Sequence, residues 1–238
     1  MALQDMVLKG FEQIFQNHTI LSISGESGTG KTSLALYLVS KSLVNSKNSC
    51  FWIQASEQFP KKRLISMYNN DKETCDYFLN NIYITPSCVI PLYSEQTKLL
   101  RKITNQNFLF PPDLRFIVID NISHHLRFEI SKANDIRKRT SMLDNFYDNI
   151  LCPLILRCQR ENIALILLHE VSFNVKLQKT LPFFSYLYKR IKGVNIFLSK
   201  SSLSKERVMK IEIGKKVAYL YFQLDTHGFC FLNLNTFF

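Results

Sequence analysis

The sequence predicts an α/β protein, with a mostly parallel central sheet flanked by helices and an antiparallel strand extension at its C-terminal end. Three observations predict it. Short, fully apolar strands alternate with helix-length periodic segments, the pattern of a sheet covered on both faces. A glycine-rich turn joins one such strand directly to a helix. From residue 195 onward the helical segments give way to successive short strands.

Residues 19–24 (TILSIS) read as the first strand, followed at once by the glycine-rich turn. Residues 31–44 are apolar at helical spacing and stop at the polar stretch 45–49. Residues 50–54 (CFWIQ) form a second strand, 61–68 a helix and 82–85 (IYIT) a third strand. Residues 94–103 read as helix, and 104–114, with its paired prolines, as loop. Residues 116–120 (FIVID) are a continuous apolar run ending in a carboxylate. A long helix fills much of 136–160, and Pro153 should kink or break it, because it lacks an N–H and clashes with the preceding turn. Residues 164–168 (ALILL) are a further buried strand, and 195–198, 208–213, 217–224 and 229–232 are the strands of the tail. Neither an internal repeat nor a linker is visible, so residues 1–238 read as a single domain.

The turn Gly25-Glu26-Ser27-Gly28-Thr29-Gly30-Lys31-Thr32 matches the pattern G-x-x-x-x-G-K-[ST] between a strand and a helix. Its glycines let successive backbone N–H groups converge on one anion, and the following helix presents its positive end to the same point. Lys31 is placed to reach the β- and γ-phosphates of ATP, and the Thr32 hydroxyl to join the shell of Mg2+. Asp120, at the end of its apolar strand, fits the acid that orients a metal-bound water. The next residue is Asn121 rather than a second acid, so a water-activating base must come from elsewhere.

Composition sets wider bounds. The chain is 46% hydrophobic and 21% charged, ordinary for a globular protein, and long enough to bury about 70% of its unfolded surface. Lys and Arg number 30 against 19 acids, a formal charge of +11 that favours polyanionic partners. The six cysteines show no C-x-x-C pair and read as buried free thiols of a reducing cytosol. The N-terminus lacks the basic start and apolar run of a signal peptide, and the most apolar stretch, 150–168, is broken by Arg157, Gln159, Arg160 and Glu161. No membrane span or membrane partner is expected.

These features resemble the RecA/RadA recombinase family and, within it, the short archaeal RadB-like paralogues that lack a separate N-terminal DNA-binding domain. FWIQASEQFPKKRL (51–64) is similar to the family's segment with a Thr-Glu-Gly-x-Phe turn and a Pro-x-Arg-Leu helix start. FIVIDNISHHLRFEI (116–130) looks like its Walker B strand followed by Phe-Arg-x-Glu. Leu167-Leu168-His169-Glu170-Val171 stands where the family has Thr-Asn-Gln-Val, and LDTHGFCFL (224–232) is similar to the last hairpin of the core. The resemblance implies a RecA-like ATPase core that uses ATP and Mg2+, located in the cytoplasm at the nucleoid, or in the nucleus of a eukaryote. It also implies two catalytic positions. Aligned without a gap, the water-activating Glu falls on Ser56; either a one-residue shift brings in Glu57, or the base is lost. The γ-phosphate-sensing Gln corresponds to Glu170, whose charge would face an anionic phosphate unless protonated or turned away. Both departures point to a slow ATPase. The family's Phe-x-x-Ala oligomerisation motif has only Phe11-Glu12-Gln13-Ile14 as a substitute, which puts filament formation in doubt.

In this family two segments line the DNA path, and both are basic here. Between Arg127 and Arg139 stand five basic residues, Arg127, Lys132, Arg137, Lys138 and Arg139, against two acids. Between Val171 and Arg190 stand four, Lys176, Lys179, Lys189 and Arg190, with no acid and with Phe173, Phe183, Phe184, Tyr186 and Tyr188 interleaved. Lysines beside aromatics suit single-stranded DNA, the charges following the backbone and the rings stacking on bases. His124 and His125 lack the further ligands of a zinc site. The reading is an ATP-binding accessory recombinase acting with a recombinase or other repair protein. Its rivals are a KaiC-like regulator of protein partners, without salt-dependent DNA affinity, and a small-molecule P-loop kinase. A kinase calls for an arginine-rich lid, whereas the arginines here cluster after Asp120.

Overall fold

The computed structural model describes residues 3–237 except 45, 70, 175–177, 184, 189 and 202–204, and the side chains of 186, 188 and 234–237 are likewise left aside. Its centre is a nine-stranded sheet in the order β11-β10-β9-β8-β1-β5-β4-β2-β3. The parallel part consists of β1 (Ile20–Gly25), β2 (Ser49–Gln54), β3 (Ile82–Thr85), β4 (Leu114–Asp120), β5 (Ala164–His169) and β8 (Val194–Lys200). β9 (Arg207–Ile213), β10 (Lys216–Asp225) and β11 (Gly228–Phe237) extend it as an antiparallel meander. The predicted sheet, including its antiparallel extension, is therefore the observed one.

Side-chain alternation along these strands divides the core into two layers. Leu21, Ile23, Val118, Ile166 and Leu168 face one side, where they meet α1 (Leu3–Asn17), α2 (Lys31–Leu43), α3 (Lys61–Met67) and α4 (Lys72–Asn81). Ile53, Ile117, Ile119, Leu165 and Leu167 face the other, under α5 (Tyr93–Thr104), α6 (His124–Ser131), α7 (Ile136–Phe146) and α8 (Cys152–Arg160). The short hairpin β6 (Val171–Asn174) and β7 (Lys179–Pro182) and one turn of helix, α9 (Ser185–Tyr188), follow β5. Among the described residues no helix is long and apolar enough to cross a membrane.

Several elements differ from the sequence reading. α1 was not anticipated, yet Val7, Phe11 and Phe15 recur every four residues and form its buried stripe. Phe11 is 3% exposed in the chain's own core, so Phe11-Glu12-Gln13-Ile14 does not present its aromatic ring outward. The helical backbone expected over 136–160 is continuous, so Pro153 does not break it. The backbone passes from α7 through a π-type turn at Tyr147–Leu151, where the Cys152 N–H donates to the Tyr147 carbonyl, and Pro153 falls in the first turn of α8. The cysteines are free, but only Cys50, Cys75 and Cys158 are buried; Cys88, in a loop, and Cys230, on β11, are exposed. That corrects the expectation of uniformly buried thiols: a residue's chemistry does not decide which face of a strand it occupies.

The loop 105–113, before β4, is fastened by a buried arginine. Arg157, 6% exposed, donates to the carbonyls of Ile103, Asn105 and Phe108, pairs with Glu161 at 2.8 Å and lies 4.1 Å over the Phe110 ring. Arg157→Met keeps the apolar bulk and strands those carbonyls, with an expected cost on the order of 3 kcal/mol. Urea denaturation would show this as a lower midpoint at an unchanged slope; an unmoved midpoint would mean that water satisfies the loop equally well.

Candidate nucleotide site

The site lies at the C-terminal ends of the parallel strands, the edge where open α/β sheets bind ligands. β1 ends in the glycine loop, and Gly30 caps α2 at φ 104°. That φ is what favours glycine there; a Cβ would also lie 2.4 Å from Leu224 Cδ1 on β10, whose side chain would have to shift. Thr29 Oγ1 donates to the Glu26 carbonyl at 2.8 Å and holds the turn closed. Lys31 folds its Nζ onto the carbonyls of Gly25 and Glu26, at 2.9 and 3.0 Å.

Thr32 Oγ1 donates to Asp120 Oδ2 at 2.9 Å, so the two groups assigned to the metal from the sequence are in contact. Asp120 is 2% exposed. Burial pushes its pKa up to about 7, the Thr32 hydrogen bond and the Lys31 charge acting against this and the Glu57 charge with it. Burial also lowers that of Lys31, although the charges of Asp120, Glu170 and Glu57 oppose the shift. These residues fit a Mg-nucleotide: a loop of backbone donors at a helix N-terminus, a cation, and a hydroxyl–carboxylate pair whose buried charge a divalent ion would compensate.

The cleft in front of the loop, about 520 Å³, is also lined by Glu57, Asn121, Arg127 and Glu170. The Asp120 carbonyl accepts the N–H groups of Ala55 and Ser56 at 2.8 and 3.0 Å, which fixes the turn after β2 beside the tip of β4. Glu57 is exposed on that turn and lines the cleft, whereas Ser56 Oγ is buried. Of the two alternatives at this position, Glu57 is the one that faces the site. A larger groove of about 630 Å³ lies between α1 and the β9–β10 hairpin, but its walls are mainly apolar and no reactive groups converge there.

Glu170 is neither protonated nor alone. Burial raises its pKa, but hydrogen bonds from His124 Nδ1 (2.8 Å) and Arg127 (2.9 Å) outweigh burial and hold it below the ordinary carboxylate value. Its own N–H donates to Ser123 Oγ at 2.9 Å, and Ser123 Oγ donates to Asn121 Oδ1 at 2.8 Å, so the start of α6 and the end of β5 are laced together. His125 donates from Nε2 to the Ala55 carbonyl at 3.0 Å, which leaves both histidines engaged within the fold. Among the described residues no group of three or more metal-ligating side chains occurs.

The basic residues read from the sequence fall into two kinds. Arg127 lines the cleft and lies 5.0 Å from the Phe183 ring. Lys132 pairs with Glu129 at 2.8 Å, and Arg190 with Asp144 and Asp148, both at 3.1 Å. Arg139 donates from Nε to the Ala133 carbonyl at 2.8 Å. Arg137, Lys138 and Lys179 are exposed, as are the apolar side chains of Ile136, Phe128 and Phe173. Lys176, Lys189 and Phe184 lie outside the described residues, as do the side chains of Tyr186 and Tyr188. Sequence reading missed Lys200, at the end of β8, whose Nζ lies 3.5 Å from where a Cβ on Gly28 would stand. No motif marks it; pairing of β8 with β1 brings it there.

Asp120 yields a test by pH. A carboxyl group whose folded value is raised costs nothing when protonated and progressively destabilises the fold as pH climbs from its unfolded value near 4 towards 7. In nucleotide- and metal-free protein, the melting temperature of Asp120→Asn relative to the parent should therefore rise from pH 5 to pH 7 and level off above it. A difference that is flat across that range would show an ordinary, ionised Asp120.

No protein-family model matches the chain. Two curated proteins of Methanococcus maripaludis, one of them from strain S2, are each named DNA repair and recombination protein RadB. Both are 31% identical to it over 138 residues, which is 57% of this chain and 58% of theirs. The chain therefore spans somewhat over half the length of the curated relatives it matches. Over that span the chain is similar to these RadB proteins, and its helix-flanked, mostly parallel sheet is consistent with a RecA-like fold.

Proposed function

We propose that the chain is a single-domain, ATP-binding accessory recombinase that holds Mg-ATP in the cleft, binds single-stranded DNA beside it and acts in recombination or repair with a recombinase or other repair protein. The observation that carries this reading is the convergence of the phosphate loop, Lys31 and the Thr32–Asp120 contact in one cleft. Gly25 to Gly30 and Lys31 would hold the phosphates, and Thr32 and Asp120 would hold a Mg2+ ion, which would supply positive charge against theirs. Glu57 is the group available to take a proton from water, in keeping with slow turnover, because its turn is exposed rather than enclosed.

The DNA part rests on topology. α6 and α7 follow β4, and the β6–β7 hairpin follows β5, so both basic segments leave the sheet at the edge that carries the cleft. Arg137, Lys138 and Lys179 supply charge, and Phe128 and Phe173, 62% and 58% exposed, supply rings for stacking. This would place the protein with the DNA, in the cytoplasm at the nucleoid or in a eukaryotic nucleus.

Lys31→Ala should abolish ATP binding in calorimetric titration, and retained affinity would refute the site. Single-stranded DNA binding by the intact protein, titrated with salt with and without ATP, should show a steep, nucleotide-dependent loss of affinity, each phosphate contact adding about 0.7 to the logarithmic slope. No DNA binding at low salt would sink the recombination reading and favour an ATP-dependent regulator of protein partners.

A further inference from the structure

The geometry points to Arg127 as a ligand for the terminal phosphate of a nucleoside triphosphate, held in reserve by Glu170, so that this ion pair distinguishes triphosphate from diphosphate. The inference rests on the nucleotide reading above and concerns the part of the cleft that the loop does not fill. Thr32 and Asp120 mark where the metal end of the phosphate chain would lie, and Lys200 stands across the loop beside Gly28. Glu170 follows β5, the strand between β1 and β4, so its carboxylate enters the cleft between the loop and Asp120. Arg127 stands one turn into α6, the helix that starts just beyond Asp120, and lines the same cleft.

The pair is suited to exchange. The Arg127 and Glu170 side chains are 47% and 26% exposed, and an ion pair with that much solvent contributes little net free energy. A terminal phosphate offers more charge and more acceptor oxygens to a guanidinium than a carboxylate does. Glu170 also has a second partner, His124 on Oε1, while Arg127 is bound to Oε2. If the guanidinium turns to a phosphate, the carboxylate keeps a hydrogen bond and need not face the nucleotide unpaired. Exchange would be felt beyond the cleft. Arg127 lies over the Phe183 ring, and the Phe183 N–H donates to the Glu170 carbonyl at 2.9 Å, so a movement of Arg127 removes one contact from a ring in the segment after β7.

The pair behaves as a competitive inhibitor built into the chain, and its two members have opposite signatures. Calorimetric affinities for Mg-ADP and for a Mg-bound, non-hydrolysable ATP analogue would be compared in the parent, Arg127→Ala, Arg127→Lys and Glu170→Gln, each first checked for an intact thermal transition. Arg127→Ala should lose on the order of tenfold in affinity for the analogue, the scale of a lost charge-assisted hydrogen bond, with ADP changed less than about twofold. Arg127→Lys should fall between. Glu170→Gln should tighten the analogue by a similar factor and leave ADP nearly unmoved. An unchanged analogue-to-ADP ratio in either Arg127→Ala or Glu170→Gln overturns the inference, and so does a loss of both nucleotides in parallel. A parent that binds neither nucleotide would overturn the nucleotide reading itself, a result distinct from a parent that binds both while Arg127→Ala discriminates as well as the parent.

Discussion

Because β8, β1, β5, β4 and β2 pair in that order and run parallel, their C-terminal ends form one row, with neighbours about 4.8 Å apart. Everything in the site follows from that row. Lys200 ends β8, the glycine loop ends β1, Glu170 follows β5, Asp120 ends β4 and Glu57 lies just beyond β2. Residues separated by as many as 143 positions, 57 to 200, thus become side chains around one cleft and its rim. The row also sorts charge: lysines stand on the loop side and carboxylates on the β4 side. A polyphosphate carrying a divalent cation complements such a gradient better than an uncharged ligand would.

The same row explains why charged groups can be buried here at all. A carboxylate as enclosed as Asp120 would normally be neutralised, and burial raises its pKa accordingly. Among the described residues no close salt bridge relieves this; the fold offers one hydroxyl from Thr32 and the more distant charge of Lys31. That is an arrangement which a metal ion would improve, because a divalent charge next to Asp120 stabilises the ionised form directly. His169, fully buried beside the row at the end of β5, is held neutral by burial, at about 3, and adds no positive charge to compete with Lys31.

Local sequence carried the phosphate loop, the strands and the C-terminal meander, because each depends on residues close in the chain: glycines where φ is positive, an apolar run where both faces are buried. It did not carry α1, whose stripe of Val7, Phe11 and Phe15 is sparse among polar residues, nor the π-type turn by which the backbone accommodates Pro153. Side-chain partnerships were the least legible. That Arg127 belongs to Glu170, or that Arg157 fastens the loop before β4, depends on strand order and helix placement, which no local spacing encodes. Choosing between Ser56 and Glu57 likewise required the turn after β2, whose backbone is pinned by the Asp120 carbonyl.

Strand order also revises what a count of basic residues means. The segment after Asp120 reads in sequence as a cluster of positive charge, yet Arg127 is matched by Glu170 and Lys132 by Glu129, while Arg190 of the second segment is matched by Asp144 and Asp148. Of the described candidates, Arg137, Lys138, Arg139 and Lys179 remain exposed with no ion pair among the described residues, Arg139 being held only by the Ala133 carbonyl. A polyanion meeting this edge would find fewer uncompensated charges than composition suggests, and exposed apolar Phe128, Ile136 and Phe173 on the same segments. Binding there would then draw on ring stacking as well as charge, and would weaken less steeply with salt than a surface on which every counted lysine and arginine stood alone. Release of Arg127 from Glu170 would change that balance from within the nucleotide cleft, so the occupant of the cleft and the charge offered to a strand are governed by the same few side chains.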